Sequence, residues 1–169
     1  MKKDISTIIL VLVLFVGLGL LLYPSVSDYV NSLHQSKAIS GYAERVENMD
    51  KEQYDEMFNA AVQYNYELSQ GAQSYKLSDD QAARYNQLLN IDGNGAMGYI
   101  EIPSIKVTLP IYHGTDDMVL QSAIGHLEWT SLPVGGEGSH CVLSGHRGLP
   151  SAKLFTNLVN ARSHFVQAV

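Results

Sequence analysis

The chain has 169 residues, 46% of them hydrophobic, and a formal charge of −6, which is enough for one modest core plus an anchor and too little for two cores. Setting aside the first 22 residues leaves nine basic against sixteen acidic side chains. An acidic body without a lysine or arginine cluster argues against a nucleic-acid partner.

Ile5 to Leu22 is an uncharged run broken only by Ser6, Thr7, Gly17 and Gly19. At ~1.5 Å per helical residue it is ~27 Å long, close to the hydrocarbon thickness of a bilayer. Lys2 and Lys3 before it put that end in the cytoplasm and the body outside the cell. A cleaved secretory signal begins the same way, but its apolar core is shorter and it exits through small residues. Here the exit is Tyr23-Pro24-Ser25-Val26-Ser27, without an Ala-x-Ala site, and an uncleaved single-pass anchor is the preferred reading.

From Val26 to Asn90 the pattern is helical. Tyr54, Phe58, Ala61 and Leu68 follow one helix face, Asp50 with Gln53 caps its start, and Gly71 ends it. Ser78 with Gln81 repeats the capping signal ahead of Tyr85, Leu88 and Leu89. The tyrosines Tyr42, Tyr54, Tyr64, Tyr66, Tyr75 and Tyr85 fit a half-buried helical spacer and need no ligand. Ile91 to Gly95 reads as a turn. It lacks the later ligands and the closing glutamate of a calcium loop.

Gly98 to Ile102 then alternates as a strand, Pro103 stops it, and Val107 to Tyr112 forms a second. Punctuation by Pro and Gly continues through Leu132 to Gly136, a pattern of short strands that fits a barrel or sandwich. Within Ser139 to Leu158 the sequence predicts a strand over Cys141 to Ser144 and a Gly-His-Arg-Gly turn at Gly145 to Gly148. Pro150 follows, and then a helical turn through Leu154, Phe155 and Leu158. Glycines on both sides of His146 expose its ring and let a ligand approach the backbone.

Cys141 is the only cysteine, so a Cys141–His146 dyad has to be weighed. Along a strand the two side chains point to opposite faces and stand ~16 Å apart at ~3.3 Å per residue, against the ~3 Å that proton transfer requires. Cys141 therefore reads as a small apolar residue inside a strand. A metal site among His113, His126, His140 and His146 is disfavoured as well. His140 and His146 lie ~20 Å apart when extended, and neither His-x-x-x-His nor Cys-x-x-Cys is present. No metal or other cofactor is expected.

Three runs in order, GYIEIPSIKVTLPIYHGT from Gly98, AIGHLEWTSLPVGG from Ala123 and LSGHRGLPSAKLFTNL from Leu143, resemble a sortase, specifically a pilin-type (class C) sortase. Sortases are membrane-anchored cysteine transpeptidases of Gram-positive bacteria. The resemblance covers about Met97 to Leu158 closely and the anchor more loosely. It implies a mainly β molecule with N-terminal helices. Residues 1–24 would form the cytoplasmic tip and transmembrane anchor, 25–90 a helical spacer, and 91–169 the N-terminal part of a closed sortase β-barrel.

The resemblance also implies that His146 is catalytic. In the family such a histidine works with a cysteine thiolate that attacks the threonyl carbonyl of an LPXTG-like sorting signal. The histidine protonates the departing amine and an arginine stabilises the oxyanion. A lysine amine of the next pilin then resolves the thioacyl enzyme, joining subunits during pilus assembly or attaching them to the cell wall. An imidazole titrates near pH ~6.5 in water, which suits both proton steps. The family's cysteine and arginine follow well downstream of this histidine; Arg147 is not that arginine, and His126 and Trp129 read as structural.

No Asp-Pro pair is present for the lid found in many pilin-type sortases. The tail Val159 to Val169 departs from the family pattern. The expectation is a truncated sortase that is inactive as written. The alternative is a non-catalytic, membrane-anchored extracellular remnant or binding protein.

Overall fold

The structure is a computed structural model and describes residues 2–71, 76–149 and 152–158. Tyr75, Pro150 and the tail after Leu158 therefore lie outside the described residues. Helix α1 spans Lys2–Asn48, α2 Lys51–Gln70 and α3 Asp79–Gln87. Strand β1 spans Ala96–Ile102, β2 Val107–His113, β3 Ile124–His126 and β4 Leu143–Ser144, with a short α4 at Asp117–Leu120.

α1 is long and apolar enough to cross a bilayer. It continues through Pro24, which has no N–H and leaves the Leu20 carbonyl without its usual helical partner. The helix that carries the apolar run thus also carries the first part of the expected spacer. Beyond Leu22 its two faces differ. Val26, Tyr29, Val30 and Leu33 are exposed on one side, while Asp28, Gln35 and Tyr42 on the other reach the rest of the molecule. The Tyr42 hydroxyl donates to the Met97 carbonyl at 2.9 Å in a buried setting, and burial raises its pKa well above that of an ordinary phenol.

Both short helices start and stop where their capping residues dictate. The Gln53 N–H donates to the Asp50 carboxylate at 2.8 Å, Gly71 caps the end of α2, and Ser78 with Gln81 forms a complete capping box on α3. Each satisfies backbone groups that have no partner within the helix. Glu67 pairs with Arg84 to join α2 to α3, and the hydrogen bond from Arg84 holds the Glu67 carboxyl below its usual range.

Ala61 and Tyr64 from α2, and Tyr85 from α3, share one core with Met97, Ile111, Ile124, Leu132 and Leu154. α2 and α3 therefore help to close the domain's core. Asn65, also buried, takes the Leu132 N–H at 2.7 Å and donates to the Leu132 carbonyl at 3.0 Å, acting as a strand partner from within a helix.

The sheet has four strands in the order β1-β2-β3-β4. β1 and β2 are antiparallel, β2 and β3 parallel, and β3 and β4 antiparallel. Pro103 ends β1 in a 3-10 turn, as its missing N–H requires. Among the described residues the sheet is open, with β1 and β4 as its edges, as part of a barrel would be. One expectation is corrected here. Helix outweighs strand among the described residues, so "mainly β" does not describe the whole.

The strand expected over Cys141 to Ser144 is shortened to Leu143–Ser144. Side-chain hydroxyls take over ahead of it: Thr130 accepts the Val142 N–H at 3.1 Å and Ser131 accepts the His140 N–H at 3.0 Å. Hydroxyls in these positions divert backbone donors from a regular ladder.

Candidate active site

β4 delivers His146 to the surface. Gly145 precedes it, and a Cβ there would stand 2.9 Å from the Phe155 ring, so only glycine lets the strand pass this close. Gly148, with φ +80, turns the chain back through a conformation that side chains disfavour. The turn over 152–158 closes the loop from the other side. The Phe155 N–H donates to the His146 carbonyl at 3.2 Å, and the Gly148 N–H donates to the Thr156 hydroxyl at 3.3 Å. Ala152 and Leu154 bury their side chains in the core and hold this turn in place.

The His146 ring is exposed, and its Nδ1 lies 3.0 Å from the Leu120 carbonyl at the end of α4. A carbonyl can only accept, so Nδ1 carries the hydrogen, and Nε2 is the nitrogen free to exchange a proton with a substrate. Among the described residues Nε2 has no partner.

Cys141 is placed elsewhere. With Leu143 and Phe155 it lines an apolar cleft of about 440 Å³ bounded by Ile100, Ile102 and Leu158, to which His146 does not contribute. Burial pushes the Cys141 thiol up to about 11, which leaves almost no thiolate near neutral pH and makes it a poor nucleophile. Cys141 and Leu143 line the same cleft, although the strand itself is reduced to Leu143–Ser144.

Two of the histidines weighed as metal ligands, His113 and His126, have other partners. His113 places Nδ1 2.9 Å from the Gly95 carbonyl and Nε2 2.9 Å from the Leu88 carbonyl. Burial lowers its pKa, while those carbonyls pull the other way. His126 is fully buried; its Nε2 donates to the Ser131 carbonyl at 2.8 Å, and its Nδ1 accepts from the Tyr85 hydroxyl at 3.0 Å. The Tyr85 oxygen in turn accepts the Gly114 N–H at 3.1 Å. The Tyr85 ring lies 4.8 Å from His113 and 5.7 Å from His126 between centroids.

Sequence reasoning missed this buried cluster of Tyr85, His113 and His126. Its only signal was two histidines at the ends of apolar strands, and their partner Tyr85 is distant in the chain.

His126 makes stability depend on pH. Burial holds its pKa down at about 4, whereas an unfolded histidine takes a proton near ~6.5. The stabilisation is complete above pH ~6.5 and is lost as pH falls towards 4, by roughly 3 kcal/mol in all. Urea unfolding in detergent at pH 7 and pH 4.5 should show this loss, and His126→Gln, less stable at neutral pH, should flatten it. An equally steep loss in the variant would assign the effect to other groups.

A family model for the sortase domain matches residues 100–165. Sortase D of Bacillus subtilis is 40% identical over 78 residues, covering 46% of this chain and 38% of that protein. Sortase C1 of Streptococcus agalactiae superposes with a TM-score of 0.70 at 46% identity, over 73% of this chain and 64% of that one. The chain thus spans about two fifths of the curated relative and somewhat under two thirds of the agalactiae enzyme. Sortase C of Streptococcus pneumoniae, described in terms of its pilin substrate specificity, gives a TM-score of 0.64 at 35% identity, over 78% of this chain and 69% of its own length. With sequence identity, superposed fold and the matched domain in agreement, the chain belongs to the sortase family.

Proposed function

We propose that this chain is the membrane-anchored, histidine-bearing part of a class C sortase, a cysteine transpeptidase that joins pilin subunits through LPXTG-like sorting signals. The observation that carries this reading is His146: an exposed imidazole on a glycine-bracketed loop, with Nδ1 held by the Leu120 carbonyl and Nε2 left open. The pneumococcal and agalactiae relatives, all sortases C, support the class. Ile5 to Leu22 fixes the protein in the cell membrane as a single pass, with the body outside the cell.

In this reading His146 Nε2 gives its proton to the amine that leaves when the threonyl bond is cleaved, and takes one from the lysine amine of the incoming pilin. Proton transfer of this kind is worth 10²–10⁴-fold in rate. The thiolate it serves is not Cys141, which is half-buried in an apolar cleft and holds its proton. These 169 residues therefore carry the proton-transfer group without the nucleophile.

A fluorogenic sorting-signal peptide with an amine acceptor tests this. The expected result is no turnover by the 169-residue chain and turnover by a chain extended to include the family's cysteine and arginine. Turnover by the chain alone that survives Cys141→Ala would overturn the assignment. Specific peptide binding without turnover in either form would favour a non-catalytic binding protein.

A further inference from the structure

Among the described residues, Asp28, Gln35, Tyr42 and Arg45 fasten α1 to the domain, and each reaches a different segment. Asp28 takes the Lys153 backbone N–H at 2.9 Å and the Lys153 ammonium at 3.4 Å. Gln35 donates to the Ser122 carbonyl at 2.6 Å, Tyr42 to the Met97 carbonyl at 2.9 Å, and Arg45 pairs with Asp92. Asp28, Gln35 and Tyr42 are spaced by seven residues, close to two turns, so they share one face of the helix.

Two of these fastened segments also hold His146. Lys153 lies in the turn whose Phe155 N–H binds the His146 carbonyl. Ser122 follows closely on Leu120, whose carbonyl takes the imidazole N–H. The His146 loop is therefore tied to α1 at the levels of Asp28 and Gln35. At ~1.5 Å per residue these levels stand ~9 Å and ~20 Å beyond Leu22 along the helix. The headgroup layer on one side of a bilayer is only ~5–8 Å thick.

We propose that α1 is a rigid strut holding the His146 loop at a fixed height just outside the headgroups, with Asp28 as the positioning residue that locks the loop to the strut. The proposal rests on the reading of Ile5 to Leu22 as a bilayer span. Asp28 suits the role because its carboxylate grips a backbone N–H, a charge-assisted bond stronger than a neutral one, and because it sits nearest the membrane of the four. The height limits what reaches the histidine. A peptide emerging from the same bilayer arrives with only ~3–6 extended residues at ~3.3–3.6 Å each.

The test uses the full chain in phosphatidylcholine liposomes, with Cys141→Ser and a fluorophore on a cysteine placed by Arg147→Cys. Energy transfer to a headgroup acceptor reads the height of the loop. A seven-residue helical insertion between Ser25 and Val26 preserves the helix face and should move the label outward by ~10 Å. Asp28→Ala should broaden the distance distribution and lower the label's anisotropy with unchanged circular dichroism, and Asp28→Asn, which keeps an acceptor oxygen, should restore both. An unmoved label after the insertion, or an equally narrow distribution in Asp28→Ala, overturns the strut while the anchor stands. Release of the chain by alkaline carbonate overturns the anchor, and the strut with it.

Discussion

In an intact class C relative, alanine in place of the residue corresponding to His146 is expected to lower transpeptidation 10²–10⁴-fold, the range that general acid–base catalysis contributes. That is about 2.7–5.5 kcal/mol of lost transition-state stabilisation. Nδ1 is committed to the Leu120 carbonyl at 3.0 Å, so the ring presents one defined nitrogen to the substrate. Alanine removes that nitrogen and leaves the backbone bond from Phe155 to residue 146 in place. The loss should therefore fall on kcat, measured with a sorting-signal peptide and an amine acceptor, with thermal unfolding little changed. Retained kcat would remove His146 from the mechanism.

Gly125→Ala should have the largest effect on stability. Gly125 lies in β3 between Tyr112 on one side and Ser144 on the other. A Cβ there would stand 2.3 Å from the Gly114 carbonyl oxygen and 3.1 Å from the Thr115 Cα. Both neighbours are backbone, so relief requires the Gly114–Thr115 segment to retreat. That segment is pinned, because the Gly114 N–H donates to the Tyr85 hydroxyl, which in turn is bonded to buried His126.

The cost should reach or exceed the upper end of the 1–3 kcal/mol typical of overpacking, about 3 kcal/mol or more. This is a large share of the 5–15 kcal/mol that holds a domain folded. Gly71→Ala is the control: its φ is −78 and its nearest neighbour stands at 3.6 Å, so a change within about 0.5 kcal/mol is expected. Equal urea midpoints for the two variants would refute the steric account.

The parts of this molecule that were legible in the sequence are those decided by neighbours along the chain. Asp50 with Gln53, and Ser78 with Gln81, start helices because a side chain meets a backbone N–H three residues on. Pro103 ends β1 by lacking a donor. The exposure of His146 follows from the glycines that flank it.

What sequence could not supply was decided across long separations. Tyr85 caps His126 from α3, and Asn65 stands in for a strand at Leu132. Thr130 and Ser131 replace the ladder beside Cys141 with their hydroxyls. α1 passes through Pro24 unbroken, although a proline in a helix interior removes a backbone bond and usually kinks or ends the helix.

The two-sided character of α1 beyond Leu22 sets a dilemma for anyone trimming the protein into a water-soluble piece. A cut just before Val26 keeps the grip of Asp28 on Lys153 but leaves Val26, Tyr29, Val30 and Leu33 bare, so the fragment will retain detergent or adhere to itself. A cut after Leu33 removes that sticky edge and also discards the bond between Asp28 and Lys153. Polar replacements at Val26, Tyr29 and Leu33, rather than a shorter start, reconcile solubility with an intact mount.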